Sequence, residues 1–134
     1  MHVSTTPLGE LATQVLKRET FVLLGHSLPF NTRGMASYDK SGAALIELNP
    51  ALFEAMDARE LAHVFWHEVG HIALKHISEA RPRPGPLTPA DVAQAVKYAA
   101  ETAAGRAKEE AADAFAQAMR KQVSDDYLWA LCTS

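Results

Sequence analysis

Leu8, Leu11, Val15, Val22 and Leu23 recur at helical spacing between residues 7 and 24, and the pattern predicts one amphipathic helix over that stretch. Thr6 stands at the N-cap position with Pro7 at N1, and Gly25 and Pro29 close the element. The periodicity then changes to alternation. "GMASYDKSGAALIELN", residues 34–49, reads as two short strands around a turn at Lys40-Ser41-Gly42. In the second strand Leu45, Glu47 and Asn49 share one face, and Ile46 and Leu48 the other. Asn49-Pro50 leads into a short helical turn, and Asp57-Ala-Arg-Glu60 is a capping box that opens a helix over roughly residues 58–79. Ala62, Phe65, Val69, Ile72 and Ala73 form the apolar face of that helix. "RPRPGPLTP", residues 81–89, holds four prolines and a glycine in nine positions and is predicted to be a loop. Thr88 caps an alanine-rich helix with Pro89 at N1; it weakens at Gly105 and resumes to about Gln122.

These elements predict an α+β fold class: a small, mostly helical domain with a short β-hairpin or sheet before the central helix. At 134 residues the chain is expected to form a single domain, 1–134, that buries a core without staples. The net charge of -3 leaves no basic footprint, so direct nucleic-acid binding is not expected. The single Cys132 excludes an internal disulfide and is expected to be an inert thiol. No apolar run approaches the ~20 residues of a membrane span, and residues 1–10 lack a basic segment leading into an apolar one. No membrane association and a cytoplasmic location are therefore expected.

The chemistry concentrates in "FWHEVGHIALKH", residues 65–76, which contains His67-Glu68-x-x-His71. With six histidines in 134 residues, a chance HExxH has a probability of about 0.02. On a helix His67 and His71 lie about 40° apart and stack on one face, so both imidazoles reach one ion. Glu68 stands about 100° round from His67, beside the ion, where a general base acts on water. His76 lies about 180° from His67, which points to packing or capping. His63 is one turn before His67 and ~12 Å along the axis from His71, so it lines the cleft rather than joining both motif histidines.

A catalytic site of this type takes three protein ligands. The downstream "AKEEAADAFAQAM" offers Glu109, Glu110 and Asp113. Glu109 and Asp113 are i and i+4 and share a face, whereas Glu110 is turned about 100° away. The pair has a chemical use: Glu109 binds the ion while Asp113 accepts the outer N–H of His67 and fixes its tautomer.

"IELNP", "FWHEVGHIALKH" and "EEAADAFA" together resemble the signature segments of the IrrE/ImmA-type zinc metallopeptidases, a gluzincin-like family. The resemblance spans about residues 36–119. It implies a zincin-like fold, with Glu109 of Glu109-x-x-Ala112-Asp113-x-Phe115-Ala116 as third metal ligand. Gly70, the glycine of the family's motif, is expected to admit a close-packed neighbour at a helix cost of ~1 kcal/mol. The chain departs from the family in the 38-position separation of His71 and Glu109, where 81–104 is expected to form a loop-plus-helix insertion, and in lacking Leu-Met-Pro after Phe115-Ala116.

The function expected is a metal-dependent endopeptidase using Zn2+, with Mn2+ or another divalent ion as alternatives and Glu68 as general base. Its substrate is a protein or peptide, and an extended substrate is expected to add to the edge of the strand ending at Asn49. Oxyanion stabilisation is open among His63, Tyr38, Tyr98 and Tyr127. The resemblance implies cleavage of a helix-turn-helix transcriptional repressor in a bacterial or phage-type cytosol. The competing expectations are an interaction module that acts by binding and a minimal general-purpose zinc peptidase.

Overall fold

The computed structural model describes residues 2–29, 31–75 and 89–133, with side chains throughout except at 98–100. Its elements in chain order are α1 (Thr6–Leu16), β1 (Thr20–Leu24), β2 (Gly34–Tyr38), β3 (Ala44–Leu48), α2 (Ala51–Glu54), α3 (Ala58–Ala73), α4 (Pro89–Glu101), α5 (Ala103–Gln122) and α6 (Asp125–Cys132). The fold is α+β: among the described residues, six helices and one small three-stranded sheet.

The helix expected over 7–24 is two elements. Lys17 adopts the left-handed conformation at φ 55°, and its backbone N–H closes the helix on Thr13. Thr13 Oγ1 then bonds the Gly9 carbonyl at 2.8 Å and receives Thr20 N–H at 3.0 Å, turning the chain into β1. Within β1, Thr20 and Val22 are buried while Phe21 and Leu23 are exposed, a period of two. Val22 had fitted the helical spacing only because both periods bury that position.

The sheet order is β1-β3-β2: β1 pairs with β3 in parallel, and β2 pairs with β3 antiparallel. The β2–β3 hairpin turns through Asp39–Ala43. Asp39 Oδ1 accepts from the Ser41 and Ala43 N–H groups, and Gly42 takes φ 88°. β3 is therefore the central strand and is buried on both faces, Glu47 included. Its edges are occupied, so the expected substrate-pairing edge at the strand ending in Asn49 does not exist there. β2 is the sheet's outer strand on that side.

α3 runs through the middle of the molecule. Leu61, Ala62, Phe65, Trp66 and Val69 are completely buried, against the sheet on one side and against α5 and α6 on the others. Burial of each such large side chain stabilises the fold by about 1.5–3 kcal/mol. Ala73, expected on the apolar face, is exposed, because α3 ends there and Lys75 takes φ 59°. The helix is thus shorter than the 58–79 expected, and His76 lies outside the described residues, as do 81–88. Asp57 caps α3 by accepting Glu60 N–H at 3.0 Å. The Glu60 carboxylate pairs with Arg33, which ties the start of α3 to the segment before β2.

The long alanine-rich helix breaks at Thr102 rather than Gly105. Thr102 is extended (ψ 146°) and caps α5 by accepting Gly105 N–H at 2.9 Å. Val92 at the start of α4 is completely buried with Leu28 and Met35. α6 had no counterpart in the sequence reading, although Ser124 caps it and Asp125 and Asp126 occupy its first turn. Cys132 is buried at its end, and burial pushes its thiol up to about 11, as expected for an inert group. Among the described residues no helix is long and apolar enough to cross a membrane.

Candidate metal centre

The site lies between α3 and α5, and small residues set its width. A side-chain carbon on Gly70 would stand 3.1–3.2 Å from three atoms of Phe115, so glycine lets the two helices approach closely. Ala112 and Ala116 on the α5 side are completely buried. This contact brings the polar stripe of α3, His63–His67–His71, opposite the acidic stripe of α5, Glu109–Asp113.

His67 sits at the centre of the arrangement. Its Nδ1 is 2.7 Å from Asp113 Oδ1 and its Nε2 is 2.7 Å from Glu109 Oε2. His71 Nε2 lies 3.1 Å from His67 Nε2 and 3.2 Å from Glu109 Oε1. Three potential ligand atoms from His67, His71 and Glu109 therefore converge, and His63, His67 and Asp113 form a second such group. Either grouping has the donors to hold a metal ion.

The donor chemistry of the first group fits a cation. Two imidazole nitrogens directed at each other across 3.1 Å repel unless a proton or cation lies between them. Two ligands at 2.0–2.1 Å from a tetrahedral zinc are about 3.3 Å apart, close to the 3.1 and 3.2 Å spacings found here. With Asp113 accepting from Nδ1–H, the tautomer that remains offers Nε2 as the donor lone pair.

Without an ion, protons take over that role. Burial pushes the His67 pKa down, but the hydrogen bond to Glu109 and the charges of Glu68, Glu109 and Asp113 outweigh it and hold the ring at about 9. The hydrogen bonds from His67 and His71 hold the Glu109 carboxyl well below the usual carboxylate range. Glu68 is pushed the other way: it is only 7% exposed, and burial raises its pKa, with His71 and His67 partly offsetting. A raised carboxylate pKa suits a proton-accepting base near neutral pH.

Glu68 stands beside the ligand group at the wall of a cleft of about 340 Å³. Gly34, where β2 begins, packs directly against Glu68 in the same lining; a side-chain carbon there would be 3.1 Å from Glu68 Cγ and 2.7 Å from Val64 Cγ1. Asn31, Arg33, Glu60, His63 and Asp113 also line it. The sequence reading placed none of Asn31, Arg33 and Glu60 at the site. The signal that places two of them is Asn49, whose Nδ2 donates to the Thr32 and Pro29 carbonyls at 3.0 and 3.3 Å while its Oδ1 receives Ala51 N–H. One buried amide thereby holds Pro29 and Thr32, beside Asn31 and Arg33 in the chain.

His63 lines the cleft, its Nε2 3.2 Å from Asp113 Oδ1. Of the tyrosines considered beside it, Tyr38 is buried with its ring under the Arg18 guanidinium, and Tyr127 is exposed on α6; neither lines the cleft. The Tyr98 side chain lies outside the described residues. Glu110, the third acidic candidate, is exposed and belongs to neither group.

No protein-family model, no curated protein and no solved structure matches this chain.

Proposed function

We propose that the protein is a zinc-dependent endopeptidase of the IrrE/ImmA kind, with His67, His71 and Glu109 as ligands and Glu68 as general base. The observation that carries this reading is the meeting of two helices at one point. His67 and His71 from α3 and Glu109 from α5 converge while the buried Glu68 remains uncommitted to the ligand set and faces the cleft. Zinc in such a site supplies a Lewis acid that polarises the scissile carbonyl and acidifies water; Mn2+ is the alternative ion.

The chain's own residues do the rest. Glu68 takes a proton from the attacking water and returns it to the leaving amine. Asp113 holds His67 in the tautomer that presents Nε2. β2 supplies the substrate platform. Arg33 accepts Asn49 N–H and Asp39 N–H donates to Ala43, so the alternate residues Gly34, Ala36 and Tyr38 turn their backbone groups away from β3. An extended peptide added to that edge at Gly34 runs directly past Glu68. His63 is positioned to donate to the developing oxyanion.

The substrate we infer is a regulatory protein, a helix-turn-helix repressor in a bacterial or phage-type cytosol. Incubating candidate repressors and casein with the zinc-loaded wild type and Glu68→Gln tests the reading. Cleavage of a repressor by the wild type alone supports it, cleavage of casein as well identifies a general-purpose peptidase, and an effect on the partner that survives in Glu68→Gln identifies an interaction module instead.

A further inference from the structure

Asp113 does more than orient His67. The same Oδ1 that lies 2.7 Å from His67 Nδ1 lies 3.2 Å from His63 Nε2. Fixing the His67 tautomer needs only the first contact, so the second imidazole is surplus to the centre described above. Its spacing from Asp113 is close to the about 3.3 Å that separates two ligands of one tetrahedral zinc. His63 is one-third exposed and Asp113 about half, and both open onto the cleft, which has room for a cation with its remaining waters. His67 cannot be a full ligand to both ions: with Nε2 on the first, its Nδ1 carries the hydrogen that Asp113 accepts. A cation at His63 therefore has two protein ligands to the first site's three, and it binds more weakly.

We propose that His63 Nε2 and the Asp113 carboxylate form a second, weaker divalent-cation site in the cleft, filled after the His67–His71–Glu109 centre and inhibitory when filled. Inhibition follows because the second ion competes with His67 for Asp113 and takes up space in the cleft that Glu68 also lines. This regulatory part rests on the peptidase reading above; the existence of the site does not.

Metal-free protein dialysed against rising free zinc tests it, with cleavage of casein and of the candidate repressors followed in parallel. The wild type takes up two equivalents, the second at a free-zinc concentration at least about tenfold higher than the first. Cleavage of whichever of these the wild type cuts falls at least about fivefold as the second equivalent loads. His63→Ala takes up one at the wild type's first-step zinc concentration, and Asp113→Asn takes up one at a concentration about 10–100-fold higher because Asp113 also supports the first site; retention of that equivalent reports an intact fold. His63→Gln, closer in volume, replaces His63→Ala should the alanine variant not fold. Saturation of the wild type at one equivalent, two equivalents in the His63 variant, or a cleavage rate unmoved by the second equivalent overturns the proposal. Failure of the primary reading has a different signature: Glu109→Ala keeps the tight equivalent, or no cleavage occurs at one equivalent. The uptake of zinc by the His63 variant then decides the second site by itself.

Discussion

Asp113 Oδ1 and His67 Nδ1 are 2.7 Å apart, a hydrogen bond between α5 and α3 that joins residues 46 apart in the chain. It fixes which nitrogen of His67 carries hydrogen and so which one is free to bind an ion. Asp113→Asn keeps the shape but presents an amide in place of the carboxylate. Zinc affinity at the first site is expected to fall about 10–100-fold, measured by competition with a chelator. Glu109→Ala removes a ligand outright and is expected to cost more than Asp113→Asn in the same titration. Equal losses in the two variants would contradict the separation of roles.

The acid–base balance of the centre gives a pH dependence with a definite sign. In the metal-free protein the folded-state pKa of His67 is raised from 6.5 to about 9. Its stabilising contribution is full below 6.5 and is lost as pH rises through about 9. Glu109 is depressed, so its contribution is present above about 4.5 and lost as pH falls below that value. Glu68, raised by burial from 4.5, works against this, costing stability as pH rises above about 4.5. Thermal melts of the metal-free protein should therefore show falling stability from about pH 6.5 to 9. Metal binding runs the other way, because an ion must displace the His67 proton. Zinc affinity should rise about tenfold per pH unit between 6 and 8, where a ring of ordinary pKa would level off near 6.5.

Gly34 and Glu68 make a prediction about packing. Gly34→Ala places a carbon 2.7 Å from Val64 Cγ1 and 3.1 Å from Glu68 Cγ, so one of them must move. The expected cost is about 1–3 kcal/mol in stability, with loss of cleavage as Glu68 is displaced. Val64→Ala in the Gly34→Ala background reopens the space, and the double variant should lose less than the two single losses combined. Simple additivity in thermal or denaturant unfolding would show that the contact is not strained.

How far the sequence anticipated the structure depends on how local each signal was. HExxH and the Glu109/Asp113 pair are helical i, i+4 patterns, and α3 and α5 carry them on the faces that meet. The β2–β3 hairpin was legible for the same reason, through Asp39, Lys40, Ser41 and Gly42. β1 was not, since no glycine or proline marks the end of α1. A lysine in the left-handed conformation makes that turn, held by Thr13. The edge position of β2 was equally invisible, because strand order follows from the 25–33 crossover, which Asn49 pins from a distance. Arg33 and Asn31 reach the cleft by that crossover, and no spacing rule connects them to His67.

Glu68→Gln separates chemistry from binding. The carboxylate is buried beside the ligands but is in neither ligand group, so the variant should fold and load metal as the wild type does. Its cleavage rate should drop by about 10²–10⁴-fold, the usual worth of a general base, in a single-turnover assay. A rate within a few-fold of wild type would assign the base elsewhere.

The most direct test is zinc per chain, by elemental analysis, in wild type, Glu68→Gln and Glu109→Ala after loading and dialysis against buffer low enough in free zinc to empty weak sites. The three-ligand centre requires close to one tightly held zinc in the first two proteins and strong loss in the third. A folded wild type that holds no zinc, or a Glu109→Ala chain that holds it as tightly as the wild type, would contradict the centre on which the peptidase reading depends.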